Sequence, residues 1–148
     1  MTDKELAELF YLVGKRVRHG YAHRLVPLGL NPGQARALRA LADAGQPMRM
    51  VRLADELRIV PRSLTPVVDA LETAGLVRRQ VDPANRRSTL VVLTGEGRAL
   101  AERAREARRE AGEELFAVLT PEQRASLREL LERVESGGQD GPGGSRGR

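Results

Sequence analysis

The sequence predicts a mainly α-helical domain with one small β-hairpin set among its helices, and three observations carry that reading. Apolar residues recur at spacings of three and four over most of the chain, several such stretches opening on a capping sequence. One segment breaks the pattern: Leu76, Val77 and Val81, then Leu90, Val91, Val92 and Leu93, are apolar, partly β-branched runs on either side of Asp82-Pro83-Ala84-Asn85, which is turn chemistry. Helical spacing resumes after Thr94.

The first helix is predicted from about residue 3 to the mid-twenties. Thr2-Asp3-Lys4-Glu5 has the Thr-x-x-Glu form in which cap and third helical residue satisfy each other's amides, and Leu6, Leu9, Phe10, Val13 and Val17 follow at helical spacing. Asn31-Pro32-Gly33-Gln34 repeats the signal with proline at the first helical position, so Ala35, Leu38, Leu41 and Ala42 mark a second helix that stops near Gly45 and Pro47. Val51, Leu53, Ala54 and Leu57 mark a short third helix, turned by Ile59-Val60-Pro61. A fourth is predicted from about Arg62 to Ala74, burying Leu64, Val67, Val68 and Leu71, with Gly75 as its left-handed stop. Two short helices a few residues apart make a helix-turn-helix, and the hairpin directly after them makes it winged. Thr94 is placed to cap a fifth helix striped by Leu100, Ala104, Ala107, Ala111, Leu115 and Val118. Thr120-Pro121-Glu122-Gln123 opens a sixth, carrying Leu127, Leu130, Leu131 and Val134.

With 148 residues the chain is long enough for one domain with a real core. The expected domain is residues 1–136, with a DNA-binding lobe at about 31–94 between dimerisation helices at about 3–28 and 95–136, and a Gly-rich tail at 137–148 too poor in apolar residues to fold. The absence of cysteine excludes disulfides, zinc–thiolate sites and thiol chemistry. Charge interrupts every apolar run, and the N-terminus carries no signal-peptide block, so a cytoplasmic protein without membrane contact is expected. No Gly-rich phosphate loop, Ser-centred elbow or spread of histidines supports catalysis, and no cofactor is expected.

The net charge of +5 is unevenly placed. Residues 49–94 hold eight Arg against five Asp and Glu, whereas residues 95–136 hold eight Arg against ten Glu. Basic charge thus gathers around the hairpin, whose turn carries Arg86 and Arg87, and an exposed basic hairpin after a helix pair suits phosphate and groove contact. The amphipathic terminal helices exceed what the winged core needs to cover. Pairing two chains through them buries the surplus and sets two recognition helices on one side, so the expected partner is a pseudo-palindromic duplex with half-sites about one turn, 10 to 10.5 bp, apart.

The chain resembles the multiple-antibiotic-resistance regulator (MarR) family. That family's wing motif, Asp-x-Arg, five residues and Leu-Thr, is matched by Asn85-Arg86-Arg87, Ser88 to Val92, and Leu93-Thr94. Leu30-Asn31-Pro32-Gly33-Gln34 resembles its Leu-Thr-Pro-x-Gln, and Arg52-Leu53-Ala54-Asp55-Glu56-Leu57 its third-helix segment. Val68-Asp69-Ala70-Leu71-Glu72, Gly75-Leu76-Val77 and Arg79 resemble its run from recognition helix into wing, and the likeness extends over about residues 5 to 136. The resemblance implies a homodimeric DNA-binding transcriptional regulator, a repressor answering a small aromatic ligand held between dimerisation helices and DNA-binding lobe. It makes Arg87 the minor-groove arginine, with Arg86 on phosphate, and Ser63 and Thr65 major-groove contacts. Two departures stand out. Asn85 replaces the aspartate expected to orient the wing, which predicts a less ordered and more basic hairpin. Pro66 replaces a common arginine in the recognition helix, so either that helix begins near Ser63 or it is kinked at the proline.

Arg62 and Ser63 at the start of the fourth helix are DNA contacts or caps, and Arg49 and Arg52 touch phosphate or pair with Asp55 and Glu56. His19 and His23 stand four apart on the first helix, a spacing that can hold a metal, but lack a third ligand nearby. With Arg16 they are candidates for effector contact rather than a metal site. The alternative from another class is a winged-helix protein-interaction module that does not read DNA sequence.

Overall fold

The structure, a computed structural model, describes residues 2–137, so the rest of the Gly-rich segment, where a flexible tail is expected, lies outside the described residues. The chain divides into two compact units, the first ending at Gly112 and the second beginning at Glu113.

The first unit opens with α1, Asp3–Leu25. The capping box forms as expected: the Thr2 hydroxyl accepts from the Glu5 amide and the Glu5 carboxylate from the Thr2 amide. After a single 3-10 turn, α2 spans Pro32–Ala44, opened by the reciprocal Asn31 and Gln34 pair at 2.8 and 3.0 Å and closed by Gly45 at φ 65°. Then come β1 (Met48–Arg49), α3 (Met50–Leu57), α4 (Pro61–Thr73), β2 (Val77–Asp82), β3 (Asn85–Leu93) and α5 (Gly95–Phe116), which runs on past Gly112.

Three details differ from the sequence-based expectation. The hairpin is part of a three-stranded antiparallel sheet, ordered β1-β3-β2, because Met48 and Arg49 pair with Val91 and Leu90. Two residues are too few to show a strand's alternation in sequence. The turn after α3 is made by Arg58, in the left-handed region at φ 55°, with the Arg36 guanidinium donating to the Leu57 carbonyl at 2.8 Å. Lastly, α4 begins at Pro61, one residue before its expected start at about Arg62. The later start near Ser63 that would have kept Pro66 in the first turn is not realised, and the helix runs on through Pro66.

The core of this unit lies where α2, α3 and α4 meet the sheet. Leu25, Leu38, Leu53, Leu64, Val68, Leu71, Val77 and Val91 are almost wholly removed from solvent, each burial contributing about 1.5–3 kcal/mol. At the entrance to α5, Thr94 joins three pieces of backbone. Its hydroxyl donates to the Gly75 carbonyl at 2.7 Å and accepts from the Gly97 amide at 3.0 Å, while its amide donates to the Leu76 carbonyl at 3.1 Å. Gly97 permits the approach, since a Cβ there would stand 1.9 Å from the Leu76 oxygen. The alanine stripe of α5 is buried at Ala101, Ala104, Ala107 and Ala111, but Val118 lies past the helix end and is 86% exposed.

In the second unit, α6 (Pro121–Gly137) starts on the expected box between Thr120 and Gln123. Gly137, expected to begin the tail, is its last residue. No residue of α6 is buried, and Leu130 and Val134 are exposed. In the first unit Leu6, Leu9, Phe10, Tyr11 and Leu12 of α1 are also exposed.

Candidate nucleic-acid interface

Helix α4 has one apolar face and one open face. At about 100° per residue, Leu64, Val68 and Leu71 define the buried direction, and the opposite direction falls on Arg62, Pro66 and Thr73, all exposed. Ser63 and Thr65 are also exposed but lie toward the two flanks. Ser63 does not cap the helix; Val60 holds that position without a side-chain bond. The Thr65 hydroxyl leans back to the Pro61 carbonyl at 3.4 Å, a long bond that a better partner would displace. Pro66 is the sixth residue of α4, so the Arg62 carbonyl lacks the amide that would bond it four residues on.

The wing is held by a carboxylate three residues upstream of the expected position. Asp82 is buried, its Oδ1 accepting the Ala84 amide at 2.9 Å and its Oδ2 the Arg49 guanidinium at 2.8 Å. The Ala84 amide, helped by Arg49, keeps its carboxyl below the ordinary 3.8 despite burial. Asn85 still orders the turn, because its Oδ1 accepts the Arg87 amide at 3.1 Å, a bond that needs no charge. The neutral residue therefore still supplies a side-chain bond within the turn. Arg86 and Arg87 are both exposed and, as successive strand residues, point to opposite faces.

A second ionic group locks wing to helix. The Arg79 guanidinium donates to Asp69 at 2.6 Å and to Glu72 at 2.9 Å, and its amide donates to Glu72 at 2.9 Å. The Arg79 amide and then its guanidinium hold the Glu72 carboxyl below the usual 4.5. Burial disfavours the charge on Arg79, but hydrogen bonds to Asp69 and Glu72 outweigh it and raise its pKa. In the sequence Arg79 stands out only as part of a motif and Asp82 only as part of a turn. The Asp-Pro pair was a signal for the turn, whereas the partners of Arg79, seven and ten residues away, are brought to it only by tertiary packing.

Arg49 pairs with Asp82 rather than with Asp55 or Glu56, while Arg52 stands 3.8 Å from Glu56 with its side chain 70% exposed. Both line, with Arg87 and Ser88, an open cleft of about 1020 Å³ between α2, α3, β1 and β3. A smaller cleft of about 290 Å³ lies between α1, α2 and α5, lined by Tyr21, Arg39, Asp43, Arg105 and Arg108 with the small residues Ala35, Ala101 and Ala104. Arg105 is tied to Asp43 at 2.8 Å. Arg16, His19 and His23 are exposed on α1 and do not line either cleft. Among the described residues no group of three or more His, Asp or Glu could hold a metal ion, and no helix is long and apolar enough to cross a membrane.

A helix-turn-helix locked to an arginine-tipped wing defines the class of winged helix-turn-helix proteins, and comparison with known proteins narrows it. The MarR family model matches residues 30–89. The HTH-type transcriptional repressor Rv2887 of Mycobacterium tuberculosis is 34% identical over 134 residues, covering 90% of this chain and 96% of its own. The HTH-type transcriptional regulator MhqR of Bacillus subtilis is 30% identical over 138 residues, covering 90% and 93%. Among solved structures, apo MarR from E. coli superposes with a TM-score of 0.79 at 28% identity, over 87% of this chain and 95% of that one. The Rv2887 complex with DNA gives 0.72 at 32% identity, over 87% and 96%. The chain belongs to the MarR family.

Proposed function

We propose that this chain is a sequence-specific, homodimeric DNA-binding transcriptional repressor that responds to a small molecule. One observation carries the reading: α4 offers an exposed face on the same rigid lobe as the arginines of the wing, joined to it through Arg79. In this reading residues 31–94 form the DNA-binding lobe, and the flanking helices at 3–28 and 95–136 pair with those of a second copy, covering Leu9 and Phe10 on α1 and Leu130 and Val134 on α6. Arg87 enters the minor groove and Arg86 meets phosphate, while Arg62, Ser63 and Thr65 approach the major groove. Arg52 lies on backbone phosphate. Arg49 acts mainly through Asp82, and Asn85 through the turn. Replacing Arg87 by Ala should weaken operator binding by about 1–3 kcal/mol and leave folding and dimerisation intact. Unchanged affinity at fixed salt, read by fluorescence anisotropy, would remove the wing from the mechanism.

The cleft lined by Tyr21, Arg39, Arg105 and Arg108 supports the small-molecule response, since three arginines against one aspartate beside a phenol suit an aromatic carboxylate. Rv2887 has been solved with salicylic acid. A ligand there shifts the equilibrium toward a dimer whose helices miss the groove spacing, by as much as its affinity differs between the two states. Salicylate should release operator DNA from the wild type, and Arg108→Ala should blunt that release without altering DNA affinity in its absence. Equal release from both proteins would move the effector site elsewhere.

A further inference from the structure

Resting on the reading of α4 as the element that enters the major groove, we propose that Pro66 is a specificity-determining residue that selects thymine through its 5-methyl group. Pro66 lies opposite the buried Leu64, Val68 and Leu71, at the centre of the exposed face, with Arg62 one turn before it. The centre of that face presents a saturated ring with neither donor nor acceptor. Ala70, exposed four residues on, extends the apolar strip by one methyl. Asp69, the nearest acid on this face, is held by Arg79 at 2.6 Å, so its carboxylate is engaged with the wing.

The groove edges decide what such a strip can recognise. Guanine shows two acceptors there, cytosine an amino donor, and adenine one of each, and an apolar ring pressed on any of them strips water without replacing its hydrogen bond. Thymine alone offers a methyl group, whose burial against Pro66 is favourable. Each methyl is worth roughly a three- to fourfold preference, or about tenfold across two symmetric half-sites. Because the proline fixes its own backbone, the ring holds its place without the rotamer loss a long side chain incurs on binding.

The experiment uses the full chain and the duplex it selects from a random pool. Deoxyuridine replaces thymine at each selected position, in both half-sites together, and affinity is measured for wild type, Pro66→Ser and Pro66→Arg, with helix content checked by circular dichroism. The expected result is one symmetric thymine whose demethylation costs the wild type about tenfold and costs both variants less than twofold, with Pro66→Arg selecting guanine there. A specific operator with no methyl-sensitive thymine, or a sensitivity that persists in both variants, overturns the proposal while leaving the DNA-binding reading intact. Failure to select any sequence overturns that reading itself.

Discussion

Pro66 is also a liability to its own helix. An interior proline forfeits one backbone bond and sets its ring against the carbonyl four residues back, here that of Arg62. Pro66→Ala should therefore stabilise the folded chain by about 1–3 kcal/mol, seen as a higher urea midpoint at constant slope; a lower midpoint would show that the ring packs usefully. The proline itself was legible in the sequence. Its consequence was not, because the start of α4 at Pro61, rather than near Ser63, decides whether the lost amide matters. Asn85 teaches the converse. Its side chain bonds the Arg87 amide with a neutral oxygen, so Asn85→Asp should leave folding and DNA binding in place; loss of the folded state would contradict this.

At the scale of elements, capping boxes made the starts of α1, α2 and α6 legible, since each is a local pattern in which side chains and amides three residues apart satisfy one another. Strand β1 was not, for its two residues are strands only because β3 lies beside them. The wing's electrostatic support was hidden for the same reason, Arg49 and Asp82 being 33 residues apart. That support gives a pH dependence. The carboxyls of Asp82 and Glu72 are held below their ordinary values of 3.8 and 4.5, so their contribution is fully present above about pH 5 and is lost as the pH falls through the ordinary values toward the depressed folded ones. Hydrogen-exchange protection of the hairpin amides should fall first in that window, and Asp82→Ala should lower it already at pH 7. A hairpin equally protected in the variant would deny Asp82 its role. Where α4 and the wing meet α5, Gly97→Ala forces a methyl onto the Leu76 carbonyl and should cost 3 kcal/mol or more, on the order of the severe steric class; thermal melting within about 2 °C of wild type would contradict the tight approach.

At the scale of the whole molecule, apolar residues are exposed on α1 and, separately, on α6, and in the proposed function a second copy covers them. The winged architecture was anticipated from the sequence, because amphipathic helical faces are written at fixed spacing and the hairpin breaks it. The positions of the two clefts were not, since one gathers residues from four separate elements and the other from three. If Arg52 and Arg86 meet phosphate as proposed, DNA affinity should fall steeply and log-linearly with salt. The most direct test of the central claim is selection of bound duplexes from a random pool by the purified chain at physiological salt. A two-fold symmetric consensus with half-sites about 10 to 10.5 bp apart is expected; recovery of sequences no different from the starting pool would contradict sequence-specific binding by a dimer.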